Sequence, residues 1–258
     1  MGTRRRDPIP IHLGANAAGE STGLAVGNQP ALYNALVDIN GEEILVGRRP
    51  GLQPILDLDE ADKGIDGLHW WERFSKLVAI SNGKGFTMNT YGGGHTDLTG
   101  TYFPAGNRVI FADYGDEGSG NLYAADGGVI NSISTSAVTE MADADAPQTC
   151  KFITVLNKYL LGMKGSSARV YRSEVGAPTD WQSNYFTAEA KDDEVLAIAS
   201  ENMELYLLGQ NSLEVWEDTG ADSPFARVPG GYVPSGTIAP YTFKYCGEPV
   251  NSFVWLDN

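Results

Sequence analysis

Basic residues, cysteine, histidine and long apolar runs are all scarce in this chain. Lys and Arg number 18 against 33 Asp and Glu, a formal net charge of −15. A protein that grips phosphates needs clustered Lys/Arg. The only basic cluster is Arg4–Arg6, which reads as a solvated terminus, with an arm touching an acidic partner as the alternative. The two cysteines, Cys150 and Cys246, make no disulfide framework and fit a reducing compartment. Each reads as a small buried hydrophobe. The three histidines, His12, His69 and His95, show no HExxH spacing, so no metalloprotease site is indicated. No apolar run approaches the ~18–20 residues that cross a bilayer. The N-terminus "MGTRRRDPIPIHLGANAAGES" has no apolar h-region, and Arg6 stands where a myristoylation site needs Ser or Thr. The expectation is a soluble protein made in the cytoplasm.

Turn formers and aromatics are plentiful. Glycine accounts for 31 of 258 residues, well above the usual ~7%, and this points to an all-β protein. Residues 1–65 lack sustained periodicity. They contain one hairpin signal, Asn40-Gly41 between "ALYNALVDI" and "EEILVG", and read as an N-terminal arm or docking segment. From about Gly67 short apolar strands alternate with turns: "KLVAIS", "RVIFAD", "KFITVL-NK-YLLGM", "DEVLAIAS-ENM-ELYLLG" and "YTFKYC-GEPV-NSFVWL". No capped amphipathic helix interrupts residues 67–258.

The phrase "YLLG" recurs at Tyr159 and Tyr206, and Phe253 follows Tyr206 at the same 47-residue spacing. Val170-Tyr171 and Val215-Trp216 repeat at 45. A period of about 40–50 with four strands per unit is the β-propeller signature. The expected fold is therefore a propeller of four-stranded blades over residues 66–258, with "YLLG" and "SLEVW" as second and third strands. Tyr159, Tyr206, Val215, Trp216, Phe253 and Trp255 are the expected blade core, and Gly209 with Gln210-Asn211 is expected to let the chain reverse. Phe253 aligned on Tyr206 sets Asn258 on the turn residue Asn211, so the last blade is incomplete. This reading favours a fragment, with completion by another chain as the alternative.

Candidate chemistry is thin. "YGGGHTD" (Tyr91–Asp97) lacks the Lys and the helix of a phosphate loop and reads as a turn. "SEVGAPTDW" (Ser173–Trp181) is distantly similar to the Asp-box of sialidases, but Glu174 replaces the aspartate and the Trp spacing is wrong, so it reads as a structural turn. "EAKDDE" and "ADADA" read as solvated acidic loops without EF-hand spacing. "HWWERF" (His69–Phe74) reads as a blade strand with a packed Trp. No catalytic, cofactor or metal residue is singled out. Carbohydrate-binding and glycosidase-like propellers are the alternative functions; the first needs Tyr123, Tyr171 and Trp216 exposed.

An ordered set of segments resembles one family. "ILVGRRPGL" (Ile44–Leu52) comes first, then "SEVGAPTDW" before "DDEVLAIAS". "SLEVW" (Ser212–Trp216), "DTG" (Asp218–Gly220), "PFARV" (Pro224–Val228), "SGTIAP" (Ser235–Pro240) and "FVWL" (Phe253–Leu256) follow. Together these are similar to the packaged-DNA stabilisation proteins, or tail hub (nozzle) proteins, of short-tailed bacteriophages. The resemblance implies a non-enzymatic virion protein, made in the host cytoplasm. It implies a homo-oligomeric ring, a hexamer, below the portal and adaptor proteins, extending and helping to close the DNA channel. It also implies docking of tail fibre, spike or needle proteins, with double-stranded DNA passing through unbound. On that basis Arg48, Arg49, Pro50 and Gly51 are expected to contact the ring above. Some of Asp113, Asp116, Glu117, Asp192, Asp193 and Glu194 are expected to face the channel, where acidic walls would let DNA slide.

Overall fold

The structure, a computed structural model, describes residues 35–40, 43–48, 58, 64–89, 94–100, 103–115, 121–248 and 250–257. They fall in two units, Met1–Pro54 and Ile55–Asn258. In the first, β1 (Ala35–Asn40) and β2 (Glu43–Arg48) pair antiparallel, with Asn40 opposite Glu43. This is the hairpin that Asn40-Gly41 signals.

The second unit is a series of meandering sheets. Blade one is β3 (Ile65–Trp71), β4 (Lys76–Ser81), β5 (Lys84–Asn89) and β6 (His95–Asp97). β7 (Thr99–Gly100) joins the outer edge of blade two, parallel to its last strand. Blade two is β8 (Ile110–Asp113), β9 (Leu122–Ala125), β10 (Asn131–Ile133) and β11 (Ala137–Glu140). Blade three is β12 (Cys150–Leu156), β13 (Tyr159–Lys164), β14 (Arg169–Arg172) and β15 (Tyr185–Thr187). Blade four is β16 (Val195–Glu201), β17 (Glu204–Gly209), β18 (Leu213–Asp218) and β19 (Phe225–Val233). A two-stranded half-blade, β20 (Lys244–Cys246) and β21 (Ser252–Val254), follows. The first strands β3, β8, β12 and β16 lie side by side in succession, which puts them at the centre of a propeller whose last blade is incomplete. Connections from first to second strand and from third to fourth share one end of the blades. Connections from second to third strand and from blade to blade share the other.

Strand alternation explains the packing. Side chains on a strand point alternately to opposite faces, and an inner blade buries both. Leu122 and Ala124 of β9 join Trp71, Val78 and Ile80 of blade one. Tyr123 and Ala125, their immediate neighbours, join Cys150, Ile153, Leu160 and Trp181 of blade three. In β13, Leu160 faces blade two while Leu161 and Met163 join Leu205, Leu207 and Trp216 of blade four. These strands therefore read as apolar runs, not as alternating patterns. Each fully buried Leu or Ile stabilises the stack by roughly 1.5–3 kcal/mol.

The hairpins correct the repeat length. β12 and β13 are joined by Asn157-Lys158, with φ of 47° and 66°. β16 and β17 are joined by Asn202-Met203, with φ of 50° and 65°. Both central residues at positive φ make these type I′ turns, whose twist matches the flanking strands. Tyr159 thus corresponds to Glu204 and the repeat is 45 residues (204 − 159), not 47. The shared "YLLG" is offset by two residues, which keeps each side chain on its own face and so hides the slip. Gly209 is also explained differently from expectation. It ends β17, and a Cβ there would lie 2.7 Å from Asp193 Oδ2 and 2.8 Å from Ser212 Oγ. Its small size makes room for that carboxylate.

Candidate functional site

The expected core residues stand as follows. Trp216 is buried, while Tyr159, Tyr206, Val215, Phe253 and Trp255 are half-buried. Trp216 packs on Phe186 at 5.0 Å and donates its indole N–H to Glu214 Oε2 at 3.0 Å. Tyr206 and Phe253 have ring centroids 4.4 Å apart, and Trp255 donates to the Gly236 carbonyl at 3.2 Å. These contacts tie the half-blade to blade four.

Among the described residues, the expected acidic residues lie at two opposite ends of the blades. Asp113 ends β8, on the connection to the second strand of blade two, and its Oδ1 accepts the Gly115 N–H at 2.9 Å. Asp116 and Glu117 lie outside the described residues. Asp192, Asp193 and Glu194 precede β16 on a blade-to-blade connection, at the opposite end of the strands. Asp193 is committed internally: Oδ2 accepts the Asn211 N–H at 2.7 Å and Oδ1 accepts the Ser212 hydroxyl at 2.9 Å. Asp192 and Glu194 are exposed. Of the expected docking residues, Arg48 ends β2, and Arg49, Pro50 and Gly51 lie outside the described residues.

The other motifs serve the architecture. Ser173–Trp181 forms a hydrogen-bonded turn in which Ala177 N–H donates to the Glu174 carbonyl at 3.2 Å and Glu174 N–H to Asp180 at 2.6 Å. It ends on Trp181, fully buried, whose backbone N–H donates to Asp143 Oδ2 at 2.9 Å. Thus an aspartate of "ADADA" pins the loop of blade three. In "HWWERF", Trp71 is buried and Trp70 is exposed with its N–H on Glu72. His95 Nε2 sits 3.2 Å from Asp97 Oδ1 on β6, a strand and not a turn. Tyr123 and Trp216 are buried and Tyr171 is half-buried, so the first two are closed to a sugar ring. Among the described residues no group of three or more His, Cys, Asp or Glu could hold a metal ion.

Sequence reasoning missed one constellation. Asp66 and His69 on β3, Arg108 just before β8, and Lys244 on β20 line a single cavity near the centre of the blades. Burial holds the His69 imidazole below its ordinary value, against an opposing pull from Asp113. No local pattern signals a site assembled from three separate blades.

The sequence profile of a phage stabilisation family, described as Bacteriophage P22 Gp10, beta-propeller, matches residues 49–256. No curated protein sequence matches the chain. Among solved structures, YCF48 bound to D1 peptide is 14% identical with a TM-score of 0.47, over 76% of this chain and 60% of that one. A chain of the mitotic checkpoint complex is 13% identical with a TM-score of 0.43, over 78% of this chain and 74% of that one. The extracellular domain of the putative one component system BT4673 from B. thetaiotaomicron is 11% identical with a TM-score of 0.47, over 68% of this chain and 23% of that one. The chain thus spans 60% of the length of the first of these structures. With the profile covering most of the chain and four successive four-stranded blades within the described residues of that span, the protein belongs to the phage P22 Gp10 family of structural β-propellers of the virion.

Proposed function

We propose that this protein forms a hub or nozzle ring of the phage tail, a hexamer beneath the portal and its adaptor. The ring extends the DNA channel, helps to close it after packaging, and carries fibre, spike or needle proteins. The observation that carries this reading is the family match over residues 49–256. Charge supports it: a net −15 repels the duplex, which suits a conduit that must pass DNA without gripping it. Asp192 and Glu194, exposed and free of the turn bonding that occupies Asp113 and Asp193, are the acidic side chains best suited to face the channel. The segment Arg48–Gly51 supplies the contact with the ring above, since two guanidiniums on an otherwise acidic chain favour an acidic partner surface. Synthesis takes place in the host cytoplasm before assembly.

Co-sedimentation with portal–adaptor rings tests this. The protein should sediment with the rings, and Arg48→Glu with Arg49→Glu should abolish that. Failure of the unaltered protein to sediment with them would overturn the reading.

A further inference from the structure

The outer half of blade three gathers two tyrosines and an arginine on one face. Its third and fourth strands, β14 and β15, pair with Tyr171 opposite Tyr185 and Arg169 opposite Thr187. Residues paired in this way share a face, as do residues two apart on one strand. The intervening Val170 and Phe186 point to the other face, into the core shared with blade four, where Phe186 stacks on Phe225 at 5.0 Å. That anchoring commits Arg169, Tyr171, Tyr185 and Thr187 to the face towards blade two. Tyr171 packs against the core there and is half-buried. Tyr185 is 48% exposed, and Arg169 is exposed.

These side chains touch one another but leave their polar groups unused. The Tyr171 and Tyr185 ring centroids lie 5.4 Å apart at a tilt of 37°. The Arg169 guanidinium lies over the Tyr185 ring, 4.5 Å from its centroid, within the range of a cation–π contact. Among the described residues Arg169 makes no ion pair. The hydroxyls of Tyr171, Tyr185 and Thr187 make no hydrogen bond among them either, and those of Tyr171 and Thr187 are open to solvent. Arg172, on the same strand, shows the contrast. It lies over Tyr159 at 5.5 Å but is committed to Glu174, 3.8 Å away.

We propose that this surface platform binds an acidic saccharide, with the flat C–H side of a pyranose ring against the exposed part of Tyr185 and its carboxylate on the Arg169 guanidinium. An aromatic ring is negative over its face, which suits the weakly positive C–H groups of a sugar. A guanidinium presents its donors as a planar fork that matches a carboxylate. The free hydroxyls of Tyr171, Tyr185 and Thr187 match a ligand whose rim is itself hydroxyl groups. A peptide fits less well, because an extended peptide docks by pairing with a free strand edge, and β15 offers only three residues. On a chain of net charge −15, an unpaired guanidinium is the feature that lets an anion approach.

Saturation-transfer NMR on the full chain tests this, with trigalacturonate as the probe. Its fully methyl-esterified form keeps the sugar rings and removes the charge, and acetyl-Ala-Glu-Ala-amide supplies a carboxylate without a sugar. Trigalacturonate should bind saturably, and the ester about tenfold more weakly, the loss of one charge-assisted contact. Arg169→Gln, at an exposed position that leaves the fold intact, should bring the acid down to the affinity of the ester and leave the ester unchanged. Tyr185→Ala should weaken both several-fold. Tyr232→Ala, at an exposed tyrosine of blade four, should change neither. No saturable transfer at millimolar trigalacturonate would overturn the proposal. So would equal binding of acid and ester, peptide binding as well as the acid, or indifference to Arg169→Gln or to Tyr185→Ala.

Discussion

Replacing Trp216 by alanine tests the blade packing at its most demanding point. Trp216 is only 4% exposed and sits in the cluster between blades three and four. Removing a buried aromatic costs about 3–5 kcal/mol. A second loss follows from Glu214, only 1% exposed, whose Oε2 accepts the indole N–H and whose Oε1 accepts the Ala190 N–H at 2.8 Å. Without the indole this buried carboxylate loses one of two donors, at a further cost of about 1–3 kcal/mol. The sum, about 4–8 kcal/mol, rivals the ~5–15 kcal/mol that hold a typical domain. Urea unfolding followed by far-ultraviolet circular dichroism would measure it, since that signal does not depend on the tryptophan removed. Trp216→Phe keeps most of the packing and loses only the donor, so it should cost about 1–3 kcal/mol. The reasoning fails if Trp216→Ala costs less than about 1.5 kcal/mol, or if alanine and phenylalanine cost the same.

Four other outcomes are expected. Gly236→Ala should destabilise by about 2–3 kcal/mol or more, because its Cβ would lie 2.4 Å from the Gln210 carbonyl carbon and oxygen; thermal unfolding reports it. Asp193→Ala should cost about 1–3 kcal/mol through its two lost bonds, and Asp192→Ala less than about 0.5 kcal/mol, by denaturant titration. The lowered His69 value means that the unfolded chain binds the proton more readily. Stability should be unaffected above pH 6.5, fall as pH drops below it, and level off once His69 is charged in the folded state. His69→Gln should flatten that fall in melts run across this range. Finally, a thiol reagent should label half-buried Cys246 in the folded protein and Cys150 only after unfolding. Cys150 is fully buried, and burial pushes its thiol up.

The blades were legible in the sequence because each buried face needs the same apolar positions, repeated once per blade. The two-residue slip in the "YLLG" alignment was not, since period-2 alternation makes a register shift of two invisible to a hydrophobic pattern. Turn geometry settles it, through Asn157 and Asn202 at positive φ. Glu214 was equally opaque: a charged residue on a strand reads as solvent-facing, yet Trp216 and the Ala190 backbone satisfy it in the core. Acidic loops of this composition read as solvated surface, whereas Asp143 and Asp193 fasten backbone groups 38 and 18 residues away. The cavity around Asp66, His69, Arg108 and Lys244 joins residues spread over three blades, and only the packing of those blades in space brings them together.

Electron microscopy of negatively stained portal–adaptor rings, with and without this protein, tests the central claim most directly. The account predicts added density stacked coaxially beneath the adaptor, with the symmetry of a single ring and an open axial channel. Rings left unchanged beside free, unassembled protein would contradict it.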